Sequence, residues 1–425
     1  MKKTVGILSV ITLFLSEVTF GSIPVSLDDC YKAAIQRSET LSEHEQLFLQ
    51  SKERESQALG SLLPNVAASA TYLTQQAPTD PLLQSFFPSI QPTVKLTASQ
   101  TLFRGLREFA VMRQLKHLTS AQEQEKQIAL IQLHMDVSRN FYTVISLEQD
   151  LTDLKTQLDL YEERIGDLKK RSRSGQSSAS ETLTAQAAKA IAVAQMKQIE
   201  GQFRANREFF SFLTGLKSDT TLKAPALSLQ KKTSLSDYLE SLEKRPDIIA
   251  GRQRLDATED SVAIARGNHL PSADLLGNYY LIRPVGVFQE IKWDVQASLS
   301  FPLYSGGVVQ SKVREAVSQK AQAELALSKA RRSAEQEIRS LYENYQSGLE
   351  QVQALEESMK LSEENYLLLK KEYSKGLTRN IDVLQALSQF QEGRRALSRA
   401  RWNTQADLTR LQLISSLRPL SILRD

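Results

Sequence analysis

Between Gly105 and Arg173 the chain runs without a proline, and a second such run extends from Val308 to Lys375. At 1.5 Å per residue each would be a helix roughly 100 Å long. No globular core covers a helix of that length, so it must pair lengthwise with others, as in a coiled coil. The first run carries the required seam: Leu147, Leu151, Leu154, Leu158, Tyr161, Ile165 and Leu168 recur at alternating spacings of four and three. Val352, Leu355, Met359, Ser362, Tyr366 and Leu369 keep the same phase in the second.

The two runs are parts of a tandem repeat with a period of about 200 residues. Ser26-Leu27-Asp28-Asp29 echoes Ser234-Leu235-Ser236-Asp237, and Arg37-Ser38-Glu39 echoes Arg245-Pro246-Asp247. Leu63-Pro64 and Tyr72 echo Leu270-Pro271 and Tyr279, and Leu102-Phe103-Arg104-Gly105 echoes Leu303-Tyr304-Ser305-Gly306. Ser174-Gly175 echoes Lys375-Gly376, and Leu183 echoes Leu384. Each copy reads as helix, strand, strand, long helix, turn, helix. In the first copy these are a helix over Leu27–Ser61, strands over Val66–Leu73 and Val94–Phe103, the long helix, and a return helix over Ser178–Thr214. Ala187, Ala190 and Ala194 suggest close helix approach on the return helix. The first and return helices together match the long helix in length, so two short helices can lie end to end along one long one. The predicted division is 22–217 and 234–417 for the copies, 218–233 for the linker and 418–425 for a tail.

Val295, Ala297, Leu299 and Phe301 alternate with Asp294, Gln296, Ser298 and Ser300. One apolar and one polar face fits a half-buried strand, and it equally fits a membrane-barrel strand between lipid and lumen. The loops joining the strands, Gln76–Pro92 and Arg283–Lys292, are rich in turn residues. Lys2 and Lys3, the apolar run Val5–Leu15, and Thr19 and Gly21 at −3 and −1 predict a secretory signal peptide over 1–21. Cys30 is the single cysteine, so no internal disulfide framework is expected. Leu27-Asp28-Asp29 before it is unsuited to lipidation, and it reads as a small buried residue of the first helix.

The 53 basic and 49 acidic residues nearly balance. No basic cluster is interleaved with aromatics, so nucleic acid is not an expected partner. His44, His117, His134 and His269 form no metal-ligand spacing and read as solvated helix surface. There is no phosphate loop, dinucleotide fingerprint or nucleophile elbow. An enzyme, a metal site and a cofactor are not expected. A periplasmic coiled-coil adaptor or a structural envelope protein is the competing class, since heptads fit both. Matched strand pairs in tandem copies favour a channel.

Three segments carry a resemblance: Arg245-Pro246-Asp247 with Ala257-Thr258-Glu259 and Leu270-Pro271-Ser272; Phe301-Pro302-Leu303-Tyr304-Ser305-Gly306-Gly307; and Tyr373-Ser374-Lys375-Gly376-Leu377-Thr378-Arg379-Asn380-Ile381-Asp382-Val383-Leu384. In these the chain resembles the TolC-type family of outer-membrane efflux channels, over Leu27 to about Leu417. The resemblance implies a homotrimer in the outer membrane with a large periplasmic part. Four strands per subunit would close a 12-stranded barrel, continued by twelve helical rails. It further implies passive conduction of drugs, toxic small molecules or secreted protein. The implied partners are outer-membrane lipids, a periplasmic adaptor of the membrane-fusion type, and an inner-membrane pump or ABC transporter. By the same resemblance Gly175, Gly376, Leu377 and Thr378 are expected to contact the adaptor, and Asp382, Arg379, Gln385 and Glu181 to form a pore gate. Asp382 also sits where it can serve the N-terminus of its own helix.

Overall fold

The computed structural model describes residues 24–227 and 234–415. The signal peptide expected at 1–21, positions 228–233 of the expected linker and the tail expected at 418–425 lie outside the described residues. The first copy comprises α1 (Leu27–Arg37), α2 (Glu39–Gly60), β1 (Asn65–Thr74), α3 (Pro81–Phe86), β2 (Ile90–Arg104), α4 (Arg107–Arg173) and α5 (Ala179–Thr214). The second comprises α6 (Leu235–Glu240), a 3-10 turn (Leu242–Lys244), α7 (Pro246–Gly267), β3 (Ser272–Ile282), β4 (Trp293–Ser300), α8 (Val308–Ser374) and α9 (Asn380–Ile414).

Both long helices have 67 residues. As the lengths predicted, α2 and α5 lie along α4, while α7 and α9 lie along α8. The helix expected over Leu27–Ser61 is not continuous. Ser38 is extended, with ψ 109°, and its hydroxyl accepts from the Leu41 amide at 3.1 Å, so α2 restarts from a new cap. The second copy breaks at the equivalent place: Arg245 is extended and Pro246 begins α7, a position where its missing N–H costs nothing. The echo of Arg37-Ser38-Glu39 in Arg245-Pro246-Asp247 is therefore a repeated helix break. The loop expected over Gln76–Pro92 is partly structured. Asp80 caps α3 through the Leu82 amide at 2.8 Å, and β2 already begins at Ile90.

The strands form one antiparallel sheet in the order β1-β2-β3-β4, leaving β1 and β4 as edges without a partner among the described residues. The register puts Val66, Ala68, Ala70 and Tyr72 on one face with Ala98, Leu96, Gly277, Tyr279, Val295 and Trp293. The other face carries Ser69, Thr71, Lys95, Thr97, Ser99, Asn278, Asp294 and Gln296. Thr97 donates to Asn278 at 2.9 Å and Asn278 to Asp294 at 2.8 Å, a hydrogen-bonded row across three strands. No described helix covers the apolar face: β1 is exposed throughout, Val295 is 60% exposed and Leu299 77%.

The core is strung along the helices in separate clusters. One joins Tyr161, Ile165 and Leu168 of α4 to Tyr366, Leu384, Leu387 and Phe390 of α8 and α9, and so includes the lower part of the predicted seam. Another joins Cys30, Tyr31 and Ala34 of α1 to Val137, Phe141 and Tyr142 of α4 and Phe210 of α5. Cys30 is buried there, and burial pushes its thiol pKa up to about 12. Two expectations fail in the helices. His134 is fully buried, with its ring 4.4 Å from that of Tyr31, because α1 folds back over this part of α4. Ala187, Ala190 and Ala194 face out of the protomer, and it is Ala185 and Ala192 that pack against α4. No described helix is long and apolar enough to cross a membrane.

Candidate functional site at the helical tips

The two hairpins, α4–α5 and α8–α9, end side by side, away from the sheet. Their turns are built alike. Gly175 has φ +74° and Gly376 φ +76°. The following amides, Gln176 and Leu377, donate back to Arg171 and Glu372 carbonyls at 2.8 and 3.0 Å. This is the turn that ends a helix by satisfying its last carbonyls, and it needs a residue free to take positive φ. Beyond Gly376, Leu377 projects into solvent at 73% exposure.

The residues expected to form a gate fall into two groups. Asp382 lies at the N-terminus of α9 and serves its own cap. It accepts from the Arg379 amide at 3.2 Å, from the Thr378 hydroxyl at 3.2 Å and from the Arg379 guanidinium at 3.1 Å. The Arg379 guanidinium beside Asp382 holds its carboxyl below the usual carboxylate range, and the pairing raises Arg379 in turn. In the protomer Arg379 therefore pairs within α9, with its side chain 80% exposed. Gln385 is exposed one turn further on. Glu181 belongs instead between the hairpins. Its carboxylate accepts from Ser177 and, at 3.4 Å, from the Tyr373 hydroxyl, while its carbonyl accepts from Asn380 Nδ2 at 3.3 Å.

Four further residues complete this junction, and none was foreseen. Arg164 lies 3.8 Å from the Tyr373 ring centre and donates to Asn380 Oδ1 at 2.9 Å. Arg171 also lies 4.9 Å from that ring centre and donates to the Ser374 carbonyl at 3.2 Å, so the first copy caps the end of α8. Burial pulls the Arg164 pKa down. Arg164 and Arg171 continue a series with period seven. Gln157 accepts from Arg395 at 2.7 Å, and Asp150 from Arg399 at 2.7 Å. Positions 150, 157, 164 and 171 thus form one row of polar links from α4 across to the second copy. The signal was readable: these positions stand one helical step from the heptad leucines and carry the residues too polar for a seam.

Asp150 and Asp153 are both 1% exposed, the second held by Arg394 at 3.0 Å. Burial raises the Asp150 pKa, against the pull of Arg399. No group of three or more metal-binding side chains comes together among the described residues. The arrangement offers mechanical and electrostatic coupling between the copies.

Comparison with known proteins agrees with this geometry. Residues 238–415 match the model of the family described as outer membrane efflux protein. The outer membrane protein TolC of Escherichia coli (strain K12) is 24% identical over 227 residues, 50% of this chain and 44% of that protein. The proteases secretion protein PrtF of Dickeya chrysanthemi is 24% identical over 180 residues, 41% of this chain and 39% of that protein. The aligned segments thus span less than half the length of these two relatives. The outer membrane protein VceC from Vibrio cholerae shares the fold, with a TM-score of 0.80 at 20% identity over 92% of this chain and 95% of that one. The second copy therefore resembles the outer membrane efflux protein family, and nearly the whole chain shares the fold of VceC.

Proposed function

We propose that three copies assemble into a channel that passively conducts small toxic molecules or secreted protein outward. The observation that carries this is the sheet. Among the described residues it has one continuous apolar face with nothing over it, one hydrogen-bonded polar face, and two unpaired edges. In lipid every backbone polar group needs a partner, so such edges must be closed by further copies. Three sheets of four strands close a 12-stranded barrel, apolar side to lipid and polar side to the lumen. The helices then continue the wall into the periplasm.

On this reading the tips point inward. Gly175, Gly376, Leu377 and Thr378 present the surface for a periplasmic adaptor, which links the channel to an inner-membrane pump or ABC transporter. Asp382, Glu181, Arg379 and Gln385 surround the inner opening, where three-fold symmetry would gather the Asp382 carboxylates and attract cations. We read 22–217 and 234–417 as the two structural repeats, following a removed signal peptide at 1–21. Fractionation and mild-detergent sizing test the reading. The protein should travel with outer membrane and run at three times the protomer mass. A monomer in the periplasmic fraction contradicts it.

A further inference from the structure

The two strand connections at the end remote from the helices are unusually apolar for exposed loops. In the first, Leu82, Phe86 and Phe87 are exposed; in the second, Val285, Val287, Phe288 and Ile291 are exposed. Patches of this kind on a protein surface mark contact sites. The connections are held together: the Val287 amide donates to the Ser85 carbonyl at 3.3 Å, and the Phe86 ring meets Phe288 edge-on at 6.5 Å.

Their side of the sheet is fixed by Arg283. Its guanidinium lies 4.0 Å from the Tyr280 ring centre and 5.9 Å from that of Phe288. Tyr280 pairs with Lys95 and shares the polar face with Asn278, opposite Tyr279 and Trp293. The aromatic pair therefore leans over the polar face. Lipid against the apolar face does not reach it there, and water is a poor cover for it. Resting on the barrel reading above, we infer that these loops meet their counterparts from two further copies and close the outer mouth with an apolar ring. A narrow apolar constriction excludes water and ions by dewetting, and hydroxyls in its place admit them.

The test uses the full chain in intact cells, in a Cys30→Ser background, and a membrane-impermeant maleimide added outside. Ser99→Cys reports the polar face below the ring, and Val295→Cys reports the apolar face. With native loops, Ser99→Cys should label slowly. Phe86→Ser with Phe288→Ser should speed it about tenfold, whereas Phe288→Leu should leave it slow. Leu82→Ser with Val285→Ser offers a second opening, and sizing confirms assembly of each variant. Fast labelling of Ser99→Cys that is indifferent to the loops overturns the ring but leaves the barrel intact. Equal labelling of Ser99→Cys and Val295→Cys in the Phe86→Ser with Phe288→Ser background overturns the barrel reading itself, and the ring with it.

Discussion

The Arg164 guanidinium lies 3.8 Å from the centre of the Tyr373 ring, so a helix of the first repeat grips the end of the long helix of the second. The same tyrosine donates its hydroxyl to Glu181 at 3.4 Å. A contact of this kind contributes about 0.5–2 kcal/mol. Tyr373→Phe keeps the ring and loses the hydroxyl; Tyr373→Ala loses both. Amide exchange over 374–380 should rise slightly in the first variant and strongly in the second. Equal exchange in native protein and both variants would show that the hairpins do not hold each other here.

Arg399 is the counter-ion of a carboxylate that has almost no water. Asp150 is 1% exposed, Arg399 48%. Arg399→Ala should cost about 2 kcal/mol at neutral pH, less than a fully buried pair because the arginine is half in water. Asp150 already has a folded pKa above its ordinary value, and losing Arg399 raises it further. A raised carboxylate pKa disfavours the folded state as pH rises through it. The thermal deficit of the variant should therefore be larger at pH 8 than at pH 5. A deficit that shrinks with rising pH contradicts this.

Gly376 separates a conformational role from a docking role. An added Cβ meets nothing within 4 Å, so only its φ of +76° resists substitution. Gly376→Ala should loosen the tip by about 1–2 kcal/mol without touching any neighbour, seen as faster exchange over 374–380. Gly376→Trp should in addition abolish export while trimers still form. Loss of trimers in Gly376→Trp would restrict this glycine to folding.

Asp382 makes a similar division. Its bonds to Arg379, and to a lesser degree Thr378, hold its carboxyl low, so the cap is complete at neutral pH and is lost only as pH falls below the ordinary carboxylate range. Single-channel recording of Asp382→Asn in a planar bilayer tests the gate. Cation selectivity and block by multivalent cations should fall with the trimer unchanged. Unaltered selectivity and block would leave Asp382 its capping role alone.

The architecture was legible because period carries it. A proline-free heptad run has one solution, and the strand alternation assigned faces that the register repeats. The glycines of both turns were legible too, since positive φ selects them. Partner choice was not. Nothing in the spacing of Ala187, Ala190 and Ala194 says which side of α5 meets α4, because alanines at 185 and 192 fit the same period. His134 was misjudged for a related reason: its burial comes from α1, more than a hundred residues away. The row Asp150, Gln157, Arg164 and Arg171 was present at period seven. Its partners lie more than 200 residues along the chain, and only the fold joins them.

The central claim is an orientation, with the sheet outside and the tips inside the envelope. Single cysteines on either end test it directly in intact cells treated with a membrane-impermeant thiol label, again in a Cys30→Ser background. Glu290, exposed in the connection between β3 and β4 and not part of the apolar ring, and Leu377, 73% exposed at the α8–α9 turn, are the positions to compare. Glu290→Cys should label from outside and Leu377→Cys should label only after the outer membrane is breached. Labelling of Leu377→Cys in intact cells, with Glu290→Cys protected, would contradict the account.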